Sequence, residues 1–223
     1  MIEAVVFDMD GILFDTERLW GEAWKHASTK LGCTDASVLK PKAMGMNWTQ
    51  LKQFFYESLG PDFPYEEYMK LAMEDMAENI EKNGLPVKPG LYELLDYLKR
   101  NGYKIAVATS TERMRAMKYF GKAGIKDYFD GILCGDMVEI GKPDPDIYLK
   151  AAALIQIEPQ KCMALEDSPN GLISANRAGM KTVMVPDTVE PTAELTKLLF
   201  ACVPSLKEVI PLLEQEKSNG SAD

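Results

Sequence analysis

The chain has 223 residues, 46% of them hydrophobic, which is enough for one ordinary domain plus a smaller module and argues against a disordered chain. A net charge of −9 and a pI near 4.8 leave no basic surface for a nucleic acid or an anionic membrane, and no apolar run approaches a membrane span. The four cysteines (Cys33, Cys134, Cys162, Cys202) are far apart and lack any CxxC pairing, so they read as reduced thiols of a cytoplasmic protein.

Residues 2–7 are apolar and β-branched and predict a buried strand. It begins too early to leave room for a signal peptide. Asp8 and Asp10 end it, and an i, i+2 spacing on a strand points both carboxylates the same way. Gly11 then permits a sharp turn. Two acids this close repel, so either one holds a proton or a hard cation sits between them. Taken alone, the pair is better read as a surface turn that caps a helix.

From 15 to 85 only helical patterns occur, over 16–31, 48–59 and 65–83, punctuated by Pro61, Pro64 and GLPVKPG. This predicts an all-helical insertion, with 1–14 and 86–223 as the core. The single histidine, His26, lies within a helical apolar pattern over 19–31. A Ser-His-Asp or Cys-His hydrolase is therefore a poor fit, and carboxylates, lysine, hydroxyls and amides must carry the chemistry.

Beyond the insertion, strands are predicted at 104–108, 131–134, 162–165, 182–185 and 200–203, with helices at 91–101, 112–123, 145–155 and 169–178. Asp144 is placed to cap the third of these helices and Gly179 to follow the last. Alternating βα units imply a parallel sheet covered on both faces, with ligands at the carboxyl ends of its strands. The polar segment 215–223 reads as a frayed tail.

Three of those strand ends carry chemistry. Thr109 can donate to a phosphate oxygen, helped by the Ser110 amide at a helix start. In GKPDP, two prolines stiffen a loop that Gly141 lets turn, and Lys142 can deliver a point charge to a phosphate. Glu166 and Asp167 end the fourth strand. Asp167 suits direct Mg²⁺ ligation, while Glu166 points the other way on the pleat and would act through water. Four carboxylates against one lysine need a divalent cation before a phosphate dianion could enter.

These segments resemble the haloacid dehalogenase superfamily, in its β-phosphoglucomutase-like branch with a small helical cap. DMDGILFDTE is similar to motif one, ATST to motif two, GKPDPDIY to motif three and LEDSPNG to motif four. The resemblance implies an α/β fold with a Rossmann-like parallel sheet and an inserted cap. It implies Asp8 as nucleophile and Asp10 as general acid/base, with Thr109, Ser110 and Lys142 holding phosphate. It implies Mg²⁺ on the Asp8 side chain, the Asp10 backbone carbonyl and Asp167.

Mutases of this branch carry a cap histidine and a cap arginine where this chain aligns Trp20 and Trp48. An indole cannot grip a distal phosphate as a guanidinium can. Trp20, Trp48 and Glu17 are the candidate cap contacts to substrate. The expectation is a Mg²⁺-dependent phosphatase acting on a small sugar phosphate or nucleotide-like monophosphate. A hexose-phosphate mutase and a non-catalytic phospho-aspartate switch are the alternatives. The expected partner is a small phosphorylated metabolite, with no nucleic acid or membrane. The chain reads as a monomer, with an oligomer left open.

Overall fold

A computed structural model describes residues 1–220. Six strands, β1 (Ala4–Phe7), β2 (Lys104–Ala108), β3 (Gly131–Leu133), β4 (Cys162–Glu166), β5 (Lys181–Met184) and β6 (Ala201–Cys202), form one sheet. The order is β3-β2-β1-β4-β5-β6, and every pairing is parallel. This is the α/β architecture expected, and the predicted strands fall within a residue or two of their observed ends. The strand order reverses between β1 and β4, which opens a crevice at their carboxyl ends.

Side chains alternate across the pleat and build two cores. Val5, Phe7, Ile105 and Val107 pack on one face with α5 (Leu91–Arg100), α6 (Arg113–Ala123) and the C-terminal helix. Ala4, Val6, Ala106 and Ala108 pack on the other with α7 (Asp146–Leu154) and α8 (Pro169–Arg177). Asp144 accepts a hydrogen bond from the Asp146 N–H at the start of α7, and Gly179, at φ +81°, ends α8 in a left-handed turn.

Four helices lie between β1 and α5: α1 (Thr16–Leu31), the single turn α2 (Lys40–Ala43), α3 (Trp48–Leu59) and α4 (Tyr65–Asn83). The three long ones span the residues predicted for them. The chain leaves and returns through a narrow neck, where Asp15 N–H donates to Pro86 O, Lys88 N–H donates to Leu13 O, and Phe14 bridges Val87 antiparallel. Phe55, with no exposed surface, centres the insertion's core, its ring 5.0 Å from Trp24, 5.3 Å from Tyr65, 5.5 Å from Phe63 and 5.6 Å from Tyr68.

Besides the single turn α2, two helices were not expected, α9 (Ala193–Thr196) and α10 (Val209–Gly220). The latter corrects the frayed tail, because Val209 and Leu213, one turn apart, bury against the core and hold residues 215–220 helical. Residues 221–223 lie outside the described residues. Among the described residues no helix is long and apolar enough to cross a membrane.

Phe55→Ala should destabilise the protein by about 3–5 kcal/mol, the usual cost of emptying a large aromatic site. Urea unfolding followed by tryptophan fluorescence, which Trp24 reports at close range, checks this. A loss under about 1 kcal/mol would mean that the cluster closes over the gap.

Candidate active site

Asp8 N–H donates to Leu165 O, so sheet pairing runs one residue past β1 and delivers the carboxylate into the crevice. Lys142 Nζ lies 2.6 Å from Asp8 Oδ1 and 2.5 Å from Glu166 Oε1, and the lysine side chain is fully buried. Burial alone would lower the lysine's pKa, but the charges of Asp8 and Glu166 outweigh it and hold the pKa above the usual lysine value. Burial raises Asp8 well above the ordinary carboxylate range, with Lys142 pulling the other way.

Glu166 accepts from Lys142 and from Tyr148 Oη (2.8 Å) at Oε1, and from Asp167 N–H, Ser168 N–H and Ser168 Oγ at Oε2. Those bonds fill its acceptor sites. In this structure Glu166 anchors Lys142, and one of its oxygens also lies in the acidic cluster described below. Gly141 also differs from expectation. Its φ is not positive, and a Cβ there would sit 2.4 Å from Gln50 Oε1 and 2.7 Å from Asn47 Nδ2, so glycine serves close approach of α3 to this loop. Gly11 does turn, at φ +86°, and a Cβ on it would meet Asp167 Oδ2 at 2.2 Å.

Both Asp167 oxygens are buried without a hydrogen-bond partner. Burial first, then the charges of Glu166, Glu17, Asp8 and Asp187, push its pKa well above the ordinary range. One oxygen each of Asp8, Glu166 and Asp167 lie within 4.8 Å of one another. An orphaned buried carboxylate in an all-oxygen cluster fits a hard divalent cation such as Mg²⁺. The Asp10 side chain stands apart from that cluster. It accepts from Thr16 Oγ1 (2.5 Å) and Thr111 Oγ1 (2.7 Å), one hydroxyl on each oxygen.

A cavity of about 100 Å³ joins the acids to the insertion. Asp8, Asp10, Asp167, Ser110, Glu17, Trp20 and Trp48 line it. Thr109, Lys142 and Glu166 are not on its wall; they lie behind it, buried. The Thr109 hydroxyl accepts from Thr111 N–H, and Ser110 Oγ donates to Gly45 O at 2.6 Å, which ties the second strand's loop to the insertion. Asn170 Nδ2 donates to the adjacent Met44 O at 2.8 Å. Glu17 is ion-paired with Lys40 in a largely buried contact.

The two tryptophans pack against the core and also form cavity wall, and they flank something unforeseen. The Arg115 guanidinium lies 5.3 Å from the Trp20 ring centre and 5.0 Å from that of Trp48. Sequence reasoning missed Arg115, Thr16, Thr111 and Tyr148. Thr16 and Thr111 sit inside or beside the recognised motifs, whereas Arg115 carries no local signal. His26 is exposed and paired with Asp75 outside the cavity, in line with a non-catalytic histidine. Burial raises the Cys134 thiol to about 11 and Cys162 to about 12, so neither offers a thiolate.

A family model described as haloacid dehalogenase-like hydrolase matches residues 5–185. The chain is 33% identical to the phosphorylated carbohydrates phosphatase of Thermotoga maritima over 182 residues, covering 82% of this chain and 84% of that one. It is 36% identical to a Drosophila melanogaster protein named "Probable pseudouridine-5'-phosphatase" over 203 residues, covering 87% of each. The crystal structure of β-phosphoglucomutase from Clostridium difficile superposes with a TM-score of 0.80 at 27% identity, covering 100% of this chain and 99% of that one. With its motifs in order at the strand ends and its matches running nearly end to end, the chain belongs to the haloacid dehalogenase-like hydrolase family, in its β-phosphoglucomutase-like branch.

Proposed function

We propose that this enzyme is a Mg²⁺-dependent phosphatase that hydrolyses a small phosphorylated metabolite, a sugar phosphate or nucleotide-like monophosphate, through an aspartyl-phosphate on Asp8. The observation that carries this reading is the pairing of Asp8, one oxygen held by buried Lys142, with an Asp10 pinned by two threonines in the same cavity. The names of the relatives support the substrate class.

Lys142 occupies Asp8 Oδ1, which leaves Oδ2 to attack phosphorus. The ester P–O bond breaks, and protonated Asp10 gives its proton to the leaving alkoxide. Asp10, now ionised, takes a proton from water as that water attacks the phospho-aspartate. The P–O bond to Asp8 breaks, inorganic phosphate leaves, and Asp8 and Asp10 return to their starting states. Thr16 and Thr111 keep Asp10 aimed through both steps. A divalent cation would be held by Asp8, Asp167 and the Asp10 backbone carbonyl, and it would supply the positive charge that a phosphate dianion needs beside these acids.

A second reading, transfer of the phosphoryl group back to a sugar as in a β-phosphoglucomutase, gains support from Arg115. The aligned insertion positions carry tryptophans, but a guanidinium reaches the same cavity from α6. Supplying β-glucose 1-phosphate with Mg²⁺ separates the two. Release of inorganic phosphate supports the phosphatase, and glucose 6-phosphate as the main product overturns it.

Asp8→Asn should abolish phosphate release, since an amide is a very poor nucleophile towards phosphorus. Asp10→Asn should retain phosphate binding and lower kcat by about 10²–10⁴. Steady-state rates with calorimetric phosphate binding check both; a kcat equal to the parent's in either variant removes that residue's role.

Chelation should stop turnover and Mg²⁺ restore it, with Ca²⁺ a poor substitute because its longer, looser coordination misplaces the nucleophile. A stability effect follows from the raised carboxyls. An acid whose folded pKa lies above its unfolded value costs stability as pH rises from about 4 through the folded value. Asp8 and Asp167 are both of this kind. The gain in Tm on adding Mg²⁺ should therefore be larger at pH 7.5 than at pH 5, and an equal gain at both would contradict this account.

A further inference from the structure

Arg115 rises from the first turn of α6 into the space between Trp20 of α1 and Trp48 of α3, whose rings meet edge-on at 6.3 Å and 76°. Its Nη2 is buried with no hydrogen-bond partner, and among the described residues no carboxylate pairs with it. Two indole faces favour a cation, but they satisfy none of its N–H donors. A half-buried guanidinium without an acceptor is an incomplete site. The other cations near this cavity are complete: Lys142 has Asp8 and Glu166, and Lys40 has Glu17. Arg115 lines the same cavity as Asp8, Asp10 and Asp167. The cavity thus offers acids for the reacting phosphoryl group and, where the core meets the insertion, a guanidinium with an unmet N–H donor. A guanidinium fork matches a carboxylate or phosphate with two parallel hydrogen bonds.

We propose that Arg115 binds a second anionic group, a carboxylate or a phosphate, on the leaving group of the substrate. This rests on the phosphatase reading and narrows it: esters bearing a second anion are preferred over their neutral counterparts. The indoles of the insertion flank the guanidinium of the core, so both parts of the chain make the subsite.

Matched substrates test this. 6-Phosphogluconate and glucitol 6-phosphate differ in a carboxylate against a hydroxymethyl group. Glucose 1,6-bisphosphate and glucose 6-phosphate differ in the second phosphate. The Mg²⁺-loaded enzyme should favour the anionic member of at least one pair by about 10–100-fold in kcat/KM, the usual worth of a charge-assisted contact. The pair with the larger ratio names the group. Arg115→Met should bring that ratio to near one. Arg115→Lys, which keeps charge but not the fork, should leave it between. Using a ratio cancels any general loss, and a thermal melt confirms that each variant folds. Ratios near one in the parent enzyme overturn the proposal. So does a ratio that survives in Arg115→Met, or a loss shared equally by both members, which would make Arg115 only a clasp between insertion and core. If no ester, p-nitrophenyl phosphate included, releases phosphate, the phosphatase reading fails. The ratio of Kd values for the same pairs by calorimetry then still decides Arg115.

Discussion

A single ammonium group organises the reaction centre. Lys142 is fully buried between Asp8 and Glu166, and each carboxylate would be an uncompensated charge in the sheet crevice without it. Removing one partner of such a group typically costs about 3–5 kcal/mol, because the charges left behind remain buried. The arrangement is asymmetric in a useful way. Glu166 is saturated by Tyr148, two backbone amides and the Ser168 hydroxyl, so it cannot turn away. Asp8 is held through one oxygen only. The lysine is thus fixed from behind and holds Asp8, which lines the cavity, through one oxygen.

Asp167 supplies the complementary constraint. Its two oxygens have no protein donors, and Gly11 is the residue that lets the first strand's turn pass this close to them. The carboxylate is buried without protein donors at the cavity wall, which suits a cation as its partner. Asp10 is treated the opposite way, with a hydroxyl on each oxygen. Three neighbouring acids thus have three environments: one held by a lysine, one pinned by hydroxyls and one left bare.

Most of the fold was legible in the sequence because βα alternation is a strong periodic signal and each strand ended on a recognisable turn. The helices of the insertion were legible for the same reason. The site was legible wherever chemistry lies within a few residues of a strand end, as for Asp8, Asp10 and Asp167. What escaped depends on packing between distant segments. Tyr148 reaches Glu166 from α7 on one face of the sheet, Gly141 is small because α3 lies against it, and Arg115 meets Trp20 and Trp48 only once the insertion has docked. The C-terminal helix escaped because its polar composition hides two burying residues, Val209 and Leu213.

The narrow neck at Phe14 and Val87 bears on how such a protein can diversify. A segment that enters and leaves through adjacent residues can be exchanged for another without re-threading the sheet, which would make substrate preference a property inherited with the insert. Arg115 limits that freedom. Its flanking indoles belong to the insert, while the guanidinium belongs to the core, so a graft of foreign helices would strand the arginine, and a change at Arg115 would leave the indoles facing nothing. A chimera that keeps only one of the two parts would separate the guanidinium from its indoles.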